Sequence, residues 1–442
     1  MKLFKKPLNS FQIIVLGFAG VIFIGALLLM LPISSQTGCI TPFLTALFTA
    51  TTSVCVTGLV VVDTGTYWSA FGQLIILLLI QIGGMGVVTV SAAVAIISGR
   101  KIGLMQRSTM QEAVAAPKMS GIVRLTGFII RTTIVIELIG AIFLAPIFCA
   151  DFGVSRGIWM ALFHSISAFC NAGIDLMGIR APYSSLTGYV SNPLINLVIM
   201  ALIIIGGIGF LTWEDIRINR MHITRYRMQS KVILTTTGLL IFFPALYFYF
   251  AEFHQGTVGS RILMALFQAV TPRTAGFNTT NLSTLSEAGQ MLTILLMLIG
   301  GSPGSTAGGM KTTTLAVLIA AAISVFQRNE NPELYKRRIA QETVIDASAI
   351  LMMYLTLCVG GALFLSCLEQ LPMLTCLFET ASAVGTVGLS LGITPSLSTA
   401  SHIVLIGLMY LGRVGGLTLI YAALSGHRIR FGKYPLEKIT VG

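Results

Sequence analysis

The chain has 442 residues, of which 55% are hydrophobic and 10% charged, with a mean hydropathy of +0.87. Soluble domains carry roughly 25% charged residues, so this composition excludes a water-soluble globular protein and leaves an integral membrane protein with many helices. The formal charge of +12 is gathered into clusters between apolar runs, which reads as topology signal and contact with anionic headgroups of the lipid bilayer, not as a nucleic-acid surface.

A full span needs about 20 apolar residues. Apolar runs at 11–31, 70–97, 121–147, 191–213, 232–251, 289–326, 344–368 and 399–424 predict eight spans. The basic start before the first run mimics a signal peptide. That run is too long for an h-region and no A-x-A site follows, so it reads as a retained span. Basic residues cluster at Lys2, Lys5 and Lys6, then at 100–124, 217–231, 328–338 and 427–438. Asp63, Asp151, Asp175, Glu252, Glu287 and Glu369 lie in the alternate segments. The positive-inside rule makes the basic clusters and both termini cytoplasmic.

Between spans one and two, three and four, five and six, and seven and eight, one phrase recurs: ALFTATTSVCVTGL, ALFHSISAFCNAGI, ALFQAVTPRTAGF and CLFETASAVGTVGL. Each has Leu-Phe, then a polar residue (Thr49, His164, Gln268, Glu379), and closes on Gly58, Gly173, Gly276 or Gly388. The glycine stands ten positions after the Phe in three copies and nine in the third. A half-length segment of this kind predicts a short helix, starting near the polar residue and running to an extended stretch at the glycine. Its C-terminal dipole favours a cation. Non-helical backbone at membrane depth must be buried or line water, and an ion filter built from carbonyls meets that condition. The predicted fold is therefore all-α and integral to the membrane. Eight transmembrane helices and four re-entrant pore loops form four parallel helix–pore loop–helix repeats around a pseudo-four-fold pore. The repeats divide the chain at 1–100, 101–220, 221–330 and 331–442.

The second helix of each repeat carries its own glycine phrase: QIGGMG from Gln81, IIGGIG from Ile204, LIGGSPG from Leu298 and YLGRVGG from Tyr410. In the first two, close helix packing accounts for the glycines. In the third, GGSPGSTAGGMK at 300–311 is too rich in Gly, Pro and hydroxyl residues for a continuous helix, and predicts a broken helix facing a cavity. In the fourth, Arg413 replaces a glycine. An arginine at that depth is functional by default, and the carbonyls of the broken loop are its natural acceptors. Lys311 reads equally as a snorkelling residue or as part of the same device. Glu137 is the main carboxylate inside a span. The seven cysteines show no CxxC or metal spacing and read as packing residues. Cys55 and Cys170, beside the glycine phrases, are the ones expected to be open to a thiol reagent. His164 has serines beside it but no second acid or base in register, so no enzyme is expected.

TPRTAGFNT from Thr271, GGSPGSTAGGMKT from Gly300 and GRVGGLT from Gly412 make the chain resemble the Trk/Ktr/HKT superfamily of potassium transporters, and among them the membrane subunits of Ktr systems. The likeness covers essentially the whole chain. Thr386-Val387-Gly388 also begins the TVGYG phrase of potassium channels. The resemblance implies potassium uptake through a channel-like path in the bacterial cytoplasmic membrane, typically sodium-activated, by a homodimer seated on a cytoplasmic nucleotide-binding ring of the KtrA type. It places potassium in a filter of Val56, Thr57 and Gly58; Asn171, Ala172 and Gly173; Thr274, Ala275 and Gly276; and Thr386, Val387 and Gly388. It makes Gly300, Gly301, Ser302, Pro303, Gly304, Ser305, Thr306, Gly308, Gly309 and Lys311 an intramembrane gate with Arg413 beside it. No cofactor is expected in this chain, which lacks G-x-x-x-x-G-K-[ST] and G-x-G-x-x-G phrases; nucleotide control belongs to the partner. The alternative is a sodium- or proton-coupled secondary transporter, which would want inverted repeats and more carboxylates within the spans.

Overall fold

The computed structural model describes residues 9–97, 102–115, 118–220, 222–415 and 418. The N-terminal and C-terminal basic clusters, Arg100 and the end of the eighth apolar run lie outside the described residues. Among the described residues, four helices are long and apolar enough to cross a membrane: Ser10–Leu29, Ile122–Phe152, Met228–Glu252 and Gln341–Glu369. The third ends in a π-helical turn at Phe248–Glu252. The first starts on a capping box, in which the Asn9 side chain accepts from Gln12 N and the Gln12 side chain accepts from Asn9 N. These helices leave large apolar side chains exposed, among them Phe23, Ile24, Ile142 and Phe242, which is the pattern of a surface solvated by lipid.

Each long helix packs on the short helix that follows it: Phe43–Val54, Val154–Phe169, Val258–Val270 and Met373–Gly385. At 1.5 Å per residue these are about 18–24 Å long, too short for a hydrocarbon core of about 30 Å. Thr49, His164, Gln268 and Glu379 sit inside them, not at their starts, because each apolar helix continues back past the polar residue to a Pro, Gly or Thr N-cap.

A third helix closes each unit: Ala70–Met85, Pro193–Gly207, Glu287–Leu298 and Thr399–Val414. All four are N-capped by a short polar side chain, from Ser69, Asn192, Ser286 and Ser398. Each packs on the short helix of the next unit, one to two, two to three, three to four and four back to one. The chain is thereby closed into a ring.

The third helices are where structure and sequence differ. The runs at 70–97 and 191–213 look continuous, yet both are broken. Ala70–Met85 turns by 99° into the next helix across Gly86. Pro193–Gly207 turns by 97° into Phe210–Asn219 across Gly209. Gly86 (φ 85°) and Gly209 (φ 90°) take a conformation that side chains disfavour. The packing role expected of the neighbouring glycines also holds: a Cβ on Gly83 would strike the Val54 carbonyl, and one on Gly206 that of Phe169. Gly415 ends the fourth helix in the same way (φ 86°).

Candidate functional site

The four short helices end in one repeated backbone device. Val56, Asn171, Thr274 and Thr386 have φ of 56°, 59°, 67° and 52°, and two residues later each glycine is also left-handed. A non-glycine residue there costs roughly 1–2 kcal/mol, offset by hydrogen bonds back to the helix. Thr57 N donates to Thr52 O at 2.8 Å, Ala172 N to Ser167 O at 2.7 Å and Val387 N to Ser382 O at 2.8 Å. In the shorter third copy Ala275 N reaches Thr271 O at 3.0 Å. The side chains of those acceptor residues act again. Gly58 N donates to Thr52 Oγ1 at 2.9 Å and Gly388 N to Ser382 Oγ at 3.0 Å. Ser167 Oγ donates to Ile174 O at 2.7 Å, and Thr271 Oγ1 to Phe277 O. Thr52, Ser167, Thr271 and Ser382 were missed from sequence. Their signal was a hydroxyl recurring six residues before the glycine, or five in the short copy.

The four segments meet. A Cβ built on Gly58 would lie 2.5 Å from the Ala172 carbonyl oxygen, one on Gly173 2.5 Å from that of Ala275, and one on Gly276 2.5 Å from that of Val387. A Cβ on Gly388 would strike the carbonyl of Thr57. Each glycine is thus closed over by the residue before the next unit's glycine, and the sequence of contacts returns to its start. Of the twelve residues singled out in these segments, Gly388 is half-buried and the rest are buried. The Asn171 amide and the Thr274 hydroxyl, 3.2 Å apart, tie units two and three together.

All four glycines open on one cavity of about 410 Å³, which Asp63 and Asp175 also line. Asp63 accepts from Thr66 N at 3.0 Å and Tyr183 N at 2.9 Å. Asp175 accepts from Met177 N at 2.8 Å. Burial pushes the Asp175 carboxyl up to about 7; the Met177 bond opposes this and the Asp63 charge adds to it. Two carboxylates in a recess, with four helix C-termini beneath it, concentrate cations and repel anions.

On the far side of the ring, the segment at 299–311 is non-helical and lies against the broken helix of unit two. Ser302 N donates to Gly207 O at 3.0 Å, Thr306 N to Gly206 O at 3.3 Å and Phe210 N to Gly304 O at 2.7 Å. Thr306 Oγ1 donates to Phe169 O at 3.0 Å. Gly300 N donates to Met310 O at 2.7 Å and Thr312 N to Gly301 O at 3.0 Å, drawing the two ends together. Gly308 abuts the Thr386 side chain, and Gly309 would place a Cβ 2.8 Å from Gly385 O. The segment therefore sits directly beneath the fourth glycine turn. Lys311 folds back on it, with Nζ donating to Ala307 O at 2.9 Å and Gly308 O at 3.3 Å. Arg413 donates from Nη1 to Thr306 O, as the sequence led one to expect. From Nη2 it also donates to Gly83 O and to Gly84 O, the latter at 3.3 Å. One guanidinium joins the segment of unit three to the broken helix of unit one.

Two of the polar residues inside the short helices, His164 and Glu379, have structural partners. His164 Nδ1 donates to Met160 O at 2.7 Å and Nε2 accepts from Leu176 N at 3.4 Å. Glu379 accepts from Ser390 Oγ at 2.8 Å and from Thr394 Oγ1. Both hold the chain that leaves the ring. Arg273, three residues before Gly276, is buried, with Nη2 donating to Thr237 Oγ1 at 3.2 Å; sequence reasoning passed over it. Cys55 and Cys170 are fully buried, so they are not the accessible thiols that their place beside the glycine phrases suggested. No group of three His, Cys, Asp or Glu side chains suited to a metal ion occurs among the described residues.

A family model described as TrkH, cation transport protein, matches residues 5–250 and 231–427. The chain is 39% identical to the potassium/sodium uptake protein NtpJ of Enterococcus hirae, over 99% of this chain and 98% of that protein. It is 40% identical to the Ktr system potassium uptake protein B of Bacillus subtilis, over 98% of this chain and 96% of that one. The crystal structure of the potassium transporter TrkH from Vibrio parahaemolyticus superposes with a TM-score of 0.73 at 20% identity, covering 95% of this chain and 85% of that chain.

Proposed function

Because the chain belongs to the TrkH family of cation transport proteins, we propose that it is the pore-forming membrane subunit of a Ktr-type potassium uptake system. The observation that carries this reading is the closed cycle of four glycine–carbonyl approaches. Dehydrated potassium needs carbonyl oxygens facing it from all sides, and residues 56–58, 171–173, 274–276 and 386–388 supply such a ring at the floor of an acidic recess. In this reading the four long helices, and the four third helices each taken together with the apolar chain that follows its break, make eight spans, the four short helices are pore helices that re-enter from outside, and the repeats divide at 1–100, 101–220, 221–330 and 331–442. The protein resides in the cytoplasmic membrane of a bacterium with both termini inside.

The segment at 300–311 is the gate. It lies under the ring, it is not helical, and its carbonyls are held by Lys311 and Arg413. Its glycines allow the backbone to change shape at little steric cost. Uptake is then channel-like, down the electrochemical gradient, with sodium acting as an activator; the potassium/sodium description of the Enterococcus relative is in keeping with a role for both ions. Two copies form a homodimer, and a nucleotide-binding ring docks on the basic cytoplasmic face. Rubidium uptake into proteoliposomes of the purified protein tests the assignment. Potassium-competed, ionophore-independent entry is the expected result. Entry that requires a proton or sodium gradient would instead place the protein among coupled secondary transporters.

A further inference from the structure

Glu137 is deep in the apolar helix Ile122–Phe152 and only 4% exposed. None of the salt bridges among the described residues involves it. A carboxyl group so placed must be satisfied by hydrogen bonds, and the one it accepts from Gln81 crosses from unit one to unit two. Its Oε2 accepts from Gln81 Nε2 at 3.2 Å, and its Oε1 lies 3.8 Å from Cys170 Sγ. Gln81 Oε1 is also 3.8 Å from that sulfur. The three side chains make a closed triangle. Gln81 belongs to the third helix of unit one, Glu137 to the long helix of unit two, and Cys170 directly precedes Asn171.

The surroundings hold the triangle in place. Ser165 Oγ donates to the Glu137 carbonyl at 2.6 Å, pinning the long helix to the short one. Gly140, one turn along, would strike Ser165 with a Cβ. Gly84, three residues after Gln81, would place a Cβ 2.5 Å from Cys170 Sγ, so the sulfur is wedged against the backbone whose carbonyls Arg413 grips.

We infer that Glu137 is a positioning residue for ion selection: through Gln81 and Cys170 it sets how far the second glycine segment projects into the ring. The inference rests on the reading of that ring as the filter. It differs from a general packing role, because a loosened Cys170 acts first on Asn171–Gly173, the one segment of the ring that Gln81 and Glu137 reach.

The test is rubidium and sodium uptake by the full-length protein in proteoliposomes, comparing Glu137→Ala, Glu137→Gln, Gln81→Ala and, as a reference, Gly58→Ser. The expected result is that Glu137→Ala loses about tenfold or more in rubidium-over-sodium preference, and that Glu137→Gln, which keeps a side-chain oxygen for Gln81, stays within about threefold. Gln81→Ala should act like Glu137→Ala, and the double variant should be no worse than either, as for members of one network. Unchanged preference in a monodisperse Glu137→Ala protein overturns the inference. So does a Gln variant as impaired as the Ala variant, since charge and not hydrogen-bond geometry would then be operating. If Glu137→Ala does not fold, Gln81→Ala decides alone. If Gly58→Ser also leaves selectivity intact, the filter reading itself has failed; if only Gly58→Ser alters it, the failure is confined to Glu137.

Discussion

Gly58→Ser is the most direct test of the ring. Gly58 has φ of 98°, and its Cβ would stand 2.5 Å from Ala172 O and 3.3 Å from the Cα atoms of Gly173 and Gly388. Two costs follow. A side chain in this conformation is disfavoured by roughly 1–2 kcal/mol, and the Ala172 carbonyl must withdraw by about 0.5–1 Å to restore an ordinary contact distance, which adds a further ~1 kcal/mol of strain. If the conducting backbone absorbs this total of about 2–3 kcal/mol, the preference for potassium falls by roughly 30- to 140-fold, since 1.4 kcal/mol is a factor of ten. Gly38→Ser is the control: its φ is 69°, with nothing within 4 Å of the added Cβ, so it bears a left-handed cost without touching the ring. The assay is initial uptake of rubidium and sodium in separate proteoliposome preparations, with monodispersity by size exclusion as the folding check. A well-folded Gly58→Ser protein with the selectivity of the parent would refute the assignment, and equal losses in Gly58→Ser and Gly38→Ser would trace the effect to general destabilisation.

Arg413→Ala should raise basal rubidium flux severalfold, because it removes the guanidinium shared by Thr306, Gly83 and Gly84; Arg413→Lys should rescue poorly, as one ammonium lacks the fork that reaches two separate backbones. Flux and regulation both unchanged in Arg413→Ala would reduce the arginine to a packing element. For Asp175, whose carboxyl burial pushes up to about 7, the raised value means that the neutral form dominates as pH falls from 8 to 6. Uptake at low salt should therefore decline across that window, and Asp175→Asn should flatten the profile; a parent profile already flat would show that the Asp175 charge does not assist entry. The same shift predicts that Asp175 lowers folding stability as pH rises from about 4 through about 7, since the unfolded acid ionises first. Reversing the charge of Arg337 and Arg338, both exposed on the hairpin formed by Glu333–Leu334 and Arg337–Arg338, should weaken association with the nucleotide-binding ring proposed above in a salt-dependent way, measured by co-purification at low and high ionic strength. Identical recovery of the ring from parent and variant would move the docking surface elsewhere.

The glycine phrases were legible because backbone geometry demands them. Wherever a left-handed residue must meet a neighbour's carbonyl, only glycine fits, so Gly58, Gly173, Gly276 and Gly388 recur through otherwise divergent sequence. The breaks at Gly86 and Gly209 were not legible, because a glycine pair in an apolar run serves close packing and helix termination equally, and here it does both. The short helices begin earlier than their polar residues imply, since apolar pattern alone does not mark a start inside a membrane-like segment. The double grip of Arg413 was out of reach for a different reason: Gly83 is 330 residues away in the chain, and nothing local to Arg413 names it. Glu137 stood out as a carboxylate in a span, but its partners Gln81 and Cys170 come from two other segments and emerge only from the fold.

The closure of the ring from one polypeptide has an evolutionary consequence. In an assembly of four identical chains every substitution lands four times, and the site can change only in symmetric steps. Here the residues before the four glycines are Thr57, Ala172, Ala275 and Val387, and one copy is a residue shorter than its companions. Each quadrant is a separate locus that drift and selection can adjust singly. A change too severe to be borne four times over is survivable when confined to one side, so under the proposed filter reading ion preference can be altered gradually, a quarter of the circle at a time.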